Sequence, residues 1–90
     1  MNKHQLKTWP QYFDSVAKGE KTFECRINDR GFETGDLVIL QRTQENNLRT
    51  VELNSDGNPK YEMQFRIGTI LTDLQFGLKE GYCVFSLLAL

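Results

Sequence analysis

Along most of this 90-residue chain apolar and polar residues alternate one by one, but residues 9–17 follow a different period. There the apolar residues recur every three or four positions, the spacing that places side chains on one face of an α-helix. They are Trp9, Tyr12, Phe13, Val16 and Ala17. We therefore expect one amphipathic helix that packs this face, Trp9 included, against the core.

The residues around this stretch mark the two ends of the helix. Thr8 has the side chain of an N-cap, and Pro10 suits the first turn, where its missing N–H costs nothing. Gly19 stands where a helix C-terminus prefers glycine. Before the helix, the residues around Leu6 predict a short strand, in which His4 is either structural or exposed.

Residues 22–27 alternate strictly between apolar and polar side chains, which is the period of a β-strand with two different faces. We expect the apolar set to enter the core and the polar set to project from the opposite face. The apolar set is Phe23, Cys25 and Ile27, and the polar set is Thr22, Glu24 and Arg26.

The remainder of the chain is expected to form strands and turns. The further predicted strands are 37–40, 48–53, 61–71 and 82–88, with a loop at 54–59. The compact apolar run 37–40 is typical of a strand buried on both faces. In the long strand, alternation places Tyr61 inside, and Gly68 marks a bulge or bend.

These elements predict a single domain over residues 1–90 that is mainly β within the α+β class. The expected architecture is a small antiparallel β-barrel of five or six strands with one N-terminal helix. A long parallel sheet is not expected, because the helices that would form its crossovers are missing.

The charge balance limits the classes of partner. The chain has 11 basic and 12 acidic side chains and a net charge of -1, which excludes a protein that coats nucleic acid by bulk charge. Residues 1–30 nevertheless hold six basic and four acidic side chains, so any nucleic-acid site is expected there. No apolar stretch approaches a membrane span, and no secretory signal is recognisable, so we expect a cytoplasmic protein without a membrane partner.

Cysteine and histidine usage argues against a metal site. Cys25 and Cys83 lie far apart within apolar segments, and His4 is the only histidine. Two cysteines are too few for a disulfide scaffold, and this spacing does not match a zinc site. We expect two reduced thiols in or near the core, no metal and no cofactor.

The densest polar stretch, residues 19–30, carries the candidate chemistry. Arg26 offers a planar donor fork for phosphate or carboxylate, and Lys21 offers a compact point charge. Glu24 can orient either cation or accept hydrogen bonds from the amino edge of a base. On spacing alone, the same residues also fit a solvated strand face with alternating charges.

A larger pattern separates these two interpretations. Gly19-x-Lys21-x-x-Glu24-x-Arg26, followed by Asn28-Asp29-Arg30, Phe32 and Gly35-Asp36, resembles the ASCH (activating signal cointegrator homology) family of PUA-like domains. The nearest resemblance is to a branch of short bacterial and phage-associated proteins of unknown function. That likeness continues through Gly77-Leu78-Lys79-Glu80-Gly81-Tyr82 into the last strand and covers nearly the whole chain.

The resemblance implies a PUA-like barrel with a small cationic cleft that binds RNA or a nucleotide-like ligand. Carried over to this chain, the cleft residues are Lys21, Thr22, Glu24 and Arg26, and we add Asn28 and Arg30 as candidates. Asn28 also has a purely structural interpretation, because asparagine side chains often stabilise turns of this kind.

Two alternatives stay open. Some small ASCH proteins are amidohydrolases that act on N4-acetylcytidine, and in this chain Lys21, Thr22 and Glu24 would be the catalytic residues. We rank this second, because Glu24 occupies the position of the hydrolase threonine, so the protein is expected to be a binding module rather than an enzyme. The third class is an accessory protein of a mobile element that binds another protein through a sheet edge. The oligomeric state is left open.

Overall fold

The computed structural model of the protein describes residues 1–72 and 77–90. It contains one helix and six strands in a single curled sheet, which confirms the predicted mainly β fold. In chain order the elements are β1 (Lys3–Thr8), α1 (Pro10–Ala17), β2 (Phe23–Ile27), β3 (Leu37–Gln44), β4 (Asn47–Val51), β5 (Glu62–Leu71) and β6 (Tyr82–Leu88). Part of the predicted loop before the last strand, residues 73–76, lies outside the described residues.

The strands follow the order β1-β3-β5-β6-β2, and β4 pairs with the end of β3. All pairings are antiparallel except that of β1 with β3, which runs parallel from Lys3 opposite Leu37 to Thr8 opposite Arg42. This pair departs from an all-antiparallel barrel. The chain leaves β1 and passes through α1 and β2 before it returns beside β1, and such a long crossover permits parallel pairing.

Gly68 is the point at which the sheet bends, as predicted. The register of β5 against β6 shifts between Ile67 and Ile70. A methyl group on Gly68 would collide with Ser86 Oγ, which accepts a hydrogen bond from Thr69 N at 2.9 Å. Glycine at this position therefore leaves room for the Ser86 and Leu88 side chains of β6 beside the irregular pairing.

The core lies on the concave side of the curled sheet. Its most deeply buried side chains include Leu6, Val38, Leu40, Ile67 and Phe85. Ile39, on the opposite face of β3, is buried as well. The prediction that the run 37–40 is covered on both faces is therefore confirmed.

The helix buries a narrower stripe than the periodicity predicts. α1 has eight residues and packs Pro10, Phe13 and Val16 inward, whereas Trp9, Tyr12 and Ala17 stay exposed. The predicted burial of Trp9 was wrong, because Trp9 lies at the N-cap in an extended conformation and so does not share the helical face of Phe13 and Val16. Gly19, with φ 77°, follows the helix end as predicted.

Two further positions differ from expectation. Thr8 is the last residue of β1 rather than an N-cap; Trp9 occupies the N-cap position and makes no side-chain capping bond. Tyr61 is 43% exposed instead of inside the barrel, because it lies just before β5 beneath the cations of Arg42 and Lys60.

His4 is buried and has a structural partner. Its Nε2 lies 2.9 Å from Asp36 Oδ2, and Asp36 also accepts hydrogen bonds from the backbone N–H groups of Asn2 and Glu33. The hydrogen bond with His4 is the largest cause that holds the pKa of Asp36 below its usual 3.8, against the opposing effect of burial. Among the described residues, no helix is both long and apolar enough to cross a membrane.

Candidate functional site

The two faces of β2 are the reverse of the prediction. Glu24 is 4% exposed and Arg26 is half-buried, whereas Phe23, Cys25 and Ile27 are exposed. The expectation that the apolar set enters the core was therefore wrong, and so was the expected burial of Cys25. β2 ends the sheet, and its inner face looks toward β1, whose carbonyl groups offer partners to charged side chains.

Between β1 and β2 lies a gap that we call the seam. These strands stand at opposite ends of the sheet, and within residues 1–72 and 77–90 no backbone ladder joins them. Two arginines bridge the gap instead: Arg26 Nη2 donates to Lys7 O at 3.0 Å, and Arg30 Nη1 donates to Gln5 O at 2.9 Å. A cavity of about 220 Å³ opens beside them, lined by Leu6, Arg26, Ile27, Asp29, Arg30 and Phe32.

Glu24 lies between two cations at the seam. Arg26 Nε donates to Glu24 Oε2 at 3.3 Å, and Lys21 Nζ is 3.4 Å from Glu24 Oε1. We call these three residues the cationic cluster, because two positive charges share one negative charge. The buried carboxylate is hydrogen-bonded to Arg26 and forms an ion pair without a hydrogen bond with Lys21, and the net charge of the cluster stays positive.

Lys21 also contacts two aromatic rings at the start of β2. Its Nζ donates to Phe23 O at 2.6 Å and lies 5.1 Å from the centre of the Phe23 ring. The Tyr12 ring is 5.8 Å away, and Trp9 stacks on Tyr12 with 5.9 Å between ring centres. The two distances from Lys21 Nζ to the ring centres fall within the range of cation–π interaction.

Thr8 is a residue of the seam that the sequence interpretation missed. Its buried hydroxyl accepts a hydrogen bond from Arg26 Nη2 at 3.3 Å and donates to Leu6 O at 3.2 Å. The signal was present: His4, Leu6 and Thr8 alternate along β1 and all face inward. The interpretation of Thr8 as an N-cap hid this pattern.

The remaining predicted site residues do not join the cationic cluster. Thr22 precedes β2 and is exposed, and its carbonyl accepts a hydrogen bond from Leu87 N. Asn28 Oδ1 accepts from Phe32 N at 3.1 Å, so this side chain stabilises the turn after β2. Arg30 lies farther along the seam and bonds β1 rather than Glu24.

A second and larger cleft lies between α1 and the β3–β4 region, and we call it the groove. It encloses about 1120 Å³ and centres on Arg42, which forms two hydrogen bonds with Asp14 at 3.0 and 3.2 Å. Arg42 also lies 3.4 Å from Glu45 and 3.5 Å from Glu52. Hydrogen bonding with Asp14 is the main cause that raises the pKa of Arg42, and it likewise lowers the pKa of Asp14.

Metal ligands are not assembled in the described part of the chain. Among residues 1–72 and 77–90 no three His, Cys, Asp or Glu side chains are grouped so that they would hold a metal ion. Cys83 is buried, and burial raises the pKa of its thiol. Cys25 lies on the exposed face of β2.

A family model described as a domain of unknown function, DUF3850, matches residues 3–87. The chain belongs to the DUF3850 family. This DUF3850 chain is also similar to the protein of Escherichia phage P2 named "Uncharacterized 12.9 kDa protein in GpA 3'region", with 46% identity over 37 residues. That match covers 41% of this chain and 34% of the phage protein, so it spans about a third of the relative. The family match agrees with the predicted likeness to proteins of unknown function, and the second match agrees with a likeness to a phage protein. The likeness to the ASCH family stays a prediction.

Proposed function

We propose that this protein binds RNA or a nucleotide-like ligand at the seam, with Lys21 and Arg26 contacting a phosphate group. The observation that supports this most strongly is the inward orientation of Glu24 and Arg26 on β2, because Lys21, which lies just before β2, then pairs with the same buried carboxylate. Cations held in this way lose little conformational freedom when an anion binds. An arginine fork and a lysine point charge are also the usual phosphate ligands.

The resemblance to the ASCH family gives independent support. The three charged residues of the Gly19-x-Lys21-x-x-Glu24-x-Arg26 pattern are the same three that meet in the cationic cluster. Because Glu24 is buried between the two cations, this grouping differs from a solvated strand face, on which all three charges would be exposed.

Glu24 acts in this proposal as a positioning residue. One of its oxygens accepts from Arg26, and the other is buried beside Lys21. A base edge would have to displace one of these cations to reach the carboxylate. We therefore assign Glu24 to holding Lys21 and Arg26, rather than to reading a base.

The geometry favours neither alternative function. In the described part of the chain the Lys21 ammonium donates to Phe23 O, and Thr22 lies outside β2. A threonine nucleophile needs a base within hydrogen-bonding reach, so the amidohydrolase remains a hypothesis without a specific contact to support it. The accessory protein of a mobile element also remains a hypothesis.

The proposal is tested by titrating a fluorescently labelled single-stranded RNA and following its anisotropy at several salt concentrations. Arg26→Gln should weaken binding about 10-fold and reduce the slope of log K against log salt by about 0.7, the value for one lost phosphate contact. Lys60→Ala is the matched control, because Lys60 is an exposed cation beside Glu52, away from the seam.

The thermal unfolding of each variant is measured in parallel, so that lost binding is not confused with lost folding. Binding by folded Arg26→Gln with unchanged affinity and salt slope would contradict the proposal. Equal losses in Arg26→Gln and Lys60→Ala would also contradict it, because they would indicate non-specific attraction.

A further inference from the structure

Three large aromatic side chains remain exposed next to the cationic cluster. Trp9 is 46% exposed, Tyr12 44% and Phe23 46%. Trp9 and Tyr12 belong to the apolar face of the helix, and Phe23 to the apolar face of β2, so the sequence pattern places all three in the core. We call this exposed group the aromatic rim.

The aromatic rim is continuous with the cationic cluster through one side chain. Lys21 Nζ lies 5.8 Å from the centre of the Tyr12 ring and 5.1 Å from the centre of the Phe23 ring. The same nitrogen lies 3.4 Å from Glu24 Oε1. Trp9 extends the rim beyond Tyr12, with an angle of 20° between the two ring planes.

We propose that the aromatic rim stacks an unpaired base of a single-stranded RNA whose phosphate lies on the cationic cluster. This inference rests on the proposed function and names the class of nucleic acid. Aromatic rings beside fixed cations match the two parts of a nucleotide, because the base has a π-face and the phosphate has negative charge. A wholly apolar partner would gain nothing from Lys21 and Arg26.

The choice of single-stranded rather than duplex RNA follows from the way in which bases stack. In a duplex both faces of each base are covered by its neighbours, so a protein aromatic ring has no base face to contact. An unpaired base leaves a face free for a ring such as that of Trp9. The substitution Trp9→Ala is compatible with folding, because the helix is anchored by Phe13 and Val16.

Trp9 also provides the signal for the test, because it is the single tryptophan of the chain. Unlabelled single-stranded RNA of about ten nucleotides, within the usual footprint of a single-strand site, should quench Trp9 fluorescence as it binds. A duplex of the same sequence should bind at least about 10-fold more weakly. Trp9→Ala, measured by anisotropy of labelled RNA, should lose about 10-fold in affinity and keep the wild-type salt slope, since no phosphate contact is removed.

Tyr61→Ala is the matched control. Like Trp9, Tyr61 is a half-exposed aromatic residue, and like the aromatic rim it lies beside cations, with Arg42 at 5.6 Å and Lys60 at 5.5 Å from its ring centre. It lies at the groove and not at the seam. Its removal should leave RNA affinity unchanged. An equal loss in Tyr61→Ala and Trp9→Ala would overturn the inference.

The outcomes separate this inference from the proposal on which it rests. If binding depends on Arg26 but Trp9 is not quenched and Trp9→Ala binds normally, the aromatic rim is not a stacking site and the phosphate site stands. Equal affinity for duplex and single strand would overturn the stacking inference in the same way. If Trp9→Ala weakens binding while folded Arg26→Gln binds normally, the assignment of the phosphate site fails. If no RNA binds at all, both fail.

Discussion

The seam and the groove each hold an arginine paired with acidic side chains, but their balances of charge are opposite. At the seam, Lys21 and Arg26 share the single carboxylate of Glu24. At the groove, one guanidinium, that of Arg42, faces three carboxylates, which belong to Asp14, Glu45 and Glu52. The groove is the larger cleft, at about 1120 Å³ against about 220 Å³.

This difference indicates that the size of a cleft is a poor guide to its chemistry. Arg42 has its charge more than compensated by its neighbours, so it has little remaining attraction for an anion. The seam has an excess of positive charge and a buried acceptor that holds the cations in place. We therefore propose the cationic cluster at the seam, rather than the larger groove, as the phosphate site, and Arg42 as a structural arginine.

The largest expected difference between the two regions is in stability. It is measured with two separate variants, each of which removes one carboxylate, from the seam or from the groove. Glu24→Ala should lower the free energy of unfolding by about 2–4 kcal/mol, because it leaves two partly buried cations without their counter-charge. Glu45→Ala should change it by less than about 0.5 kcal/mol, since the Glu45 side chain is 80% exposed. Urea denaturation of the three proteins measures both values.

Equal effects of the two substitutions would contradict the comparison. A small effect of Glu24→Ala would mean that the carbonyl of Phe23 is enough to stabilise Lys21, and that the carbonyl of Lys7 and the hydroxyl of Thr8 are enough to stabilise Arg26. Glu24 would then lose its assigned positioning role.

A change in pH should have a smaller effect on the free energy of unfolding, and this effect should again differ between a buried and an exposed carboxylate. The pKa of Asp36 is lower in the folded protein than its usual 3.8, so its stabilising contribution is complete above that value and is lost as pH falls through the folded pKa. Asp36→Asn should therefore lose stability near neutral pH and vary less than wild type between about pH 5 and pH 2. Asp14→Asn at the groove should act in the same direction but more weakly, because Asp14 is exposed.

Urea unfolding at a series of pH values provides this measurement. The control is Asp56→Asn, because Asp56 is exposed in the loop at 54–59. An Asp36→Asn curve parallel to the wild-type curve throughout the acid range would contradict the role given to the His4 hydrogen bond.

Much of the fold could be predicted because its signals are local. The run 37–40, the end of the helix at Gly19 and the bulge at Gly68 each depend on a few adjacent residues. The loop at 54–59 is a turn closed by a bridge between Leu53 and Pro59, and it too was expected. Strong local preferences survive in almost any tertiary setting.

Which face of β2 turns inward could not be predicted, because it depends on a strand that is distant in the sequence. An alternating strand fits a sheet in either of two orientations, and hydrophobicity favours burial of Phe23 and Ile27. What decides the orientation is the end of the sheet, where carbonyl groups of β1 and the carboxylate of Glu24 receive the guanidinium of Arg26. The sequence therefore identified Lys21, Glu24 and Arg26 as the charged residues of the candidate site. It did not predict the burial of Glu24 or the hydrogen bond of Arg26 with Thr8.

The central claim is that the seam, and not the groove, receives the ligand. Its most direct test is a ¹H–¹⁵N NMR titration of the wild-type protein with unlabelled single-stranded RNA. We expect the largest amide shifts at residues 7–9 and 21–30, on both sides of the seam, with residues 42–53 nearly unchanged. Shifts concentrated in residues 42–53, or spread evenly over the chain, would contradict the account.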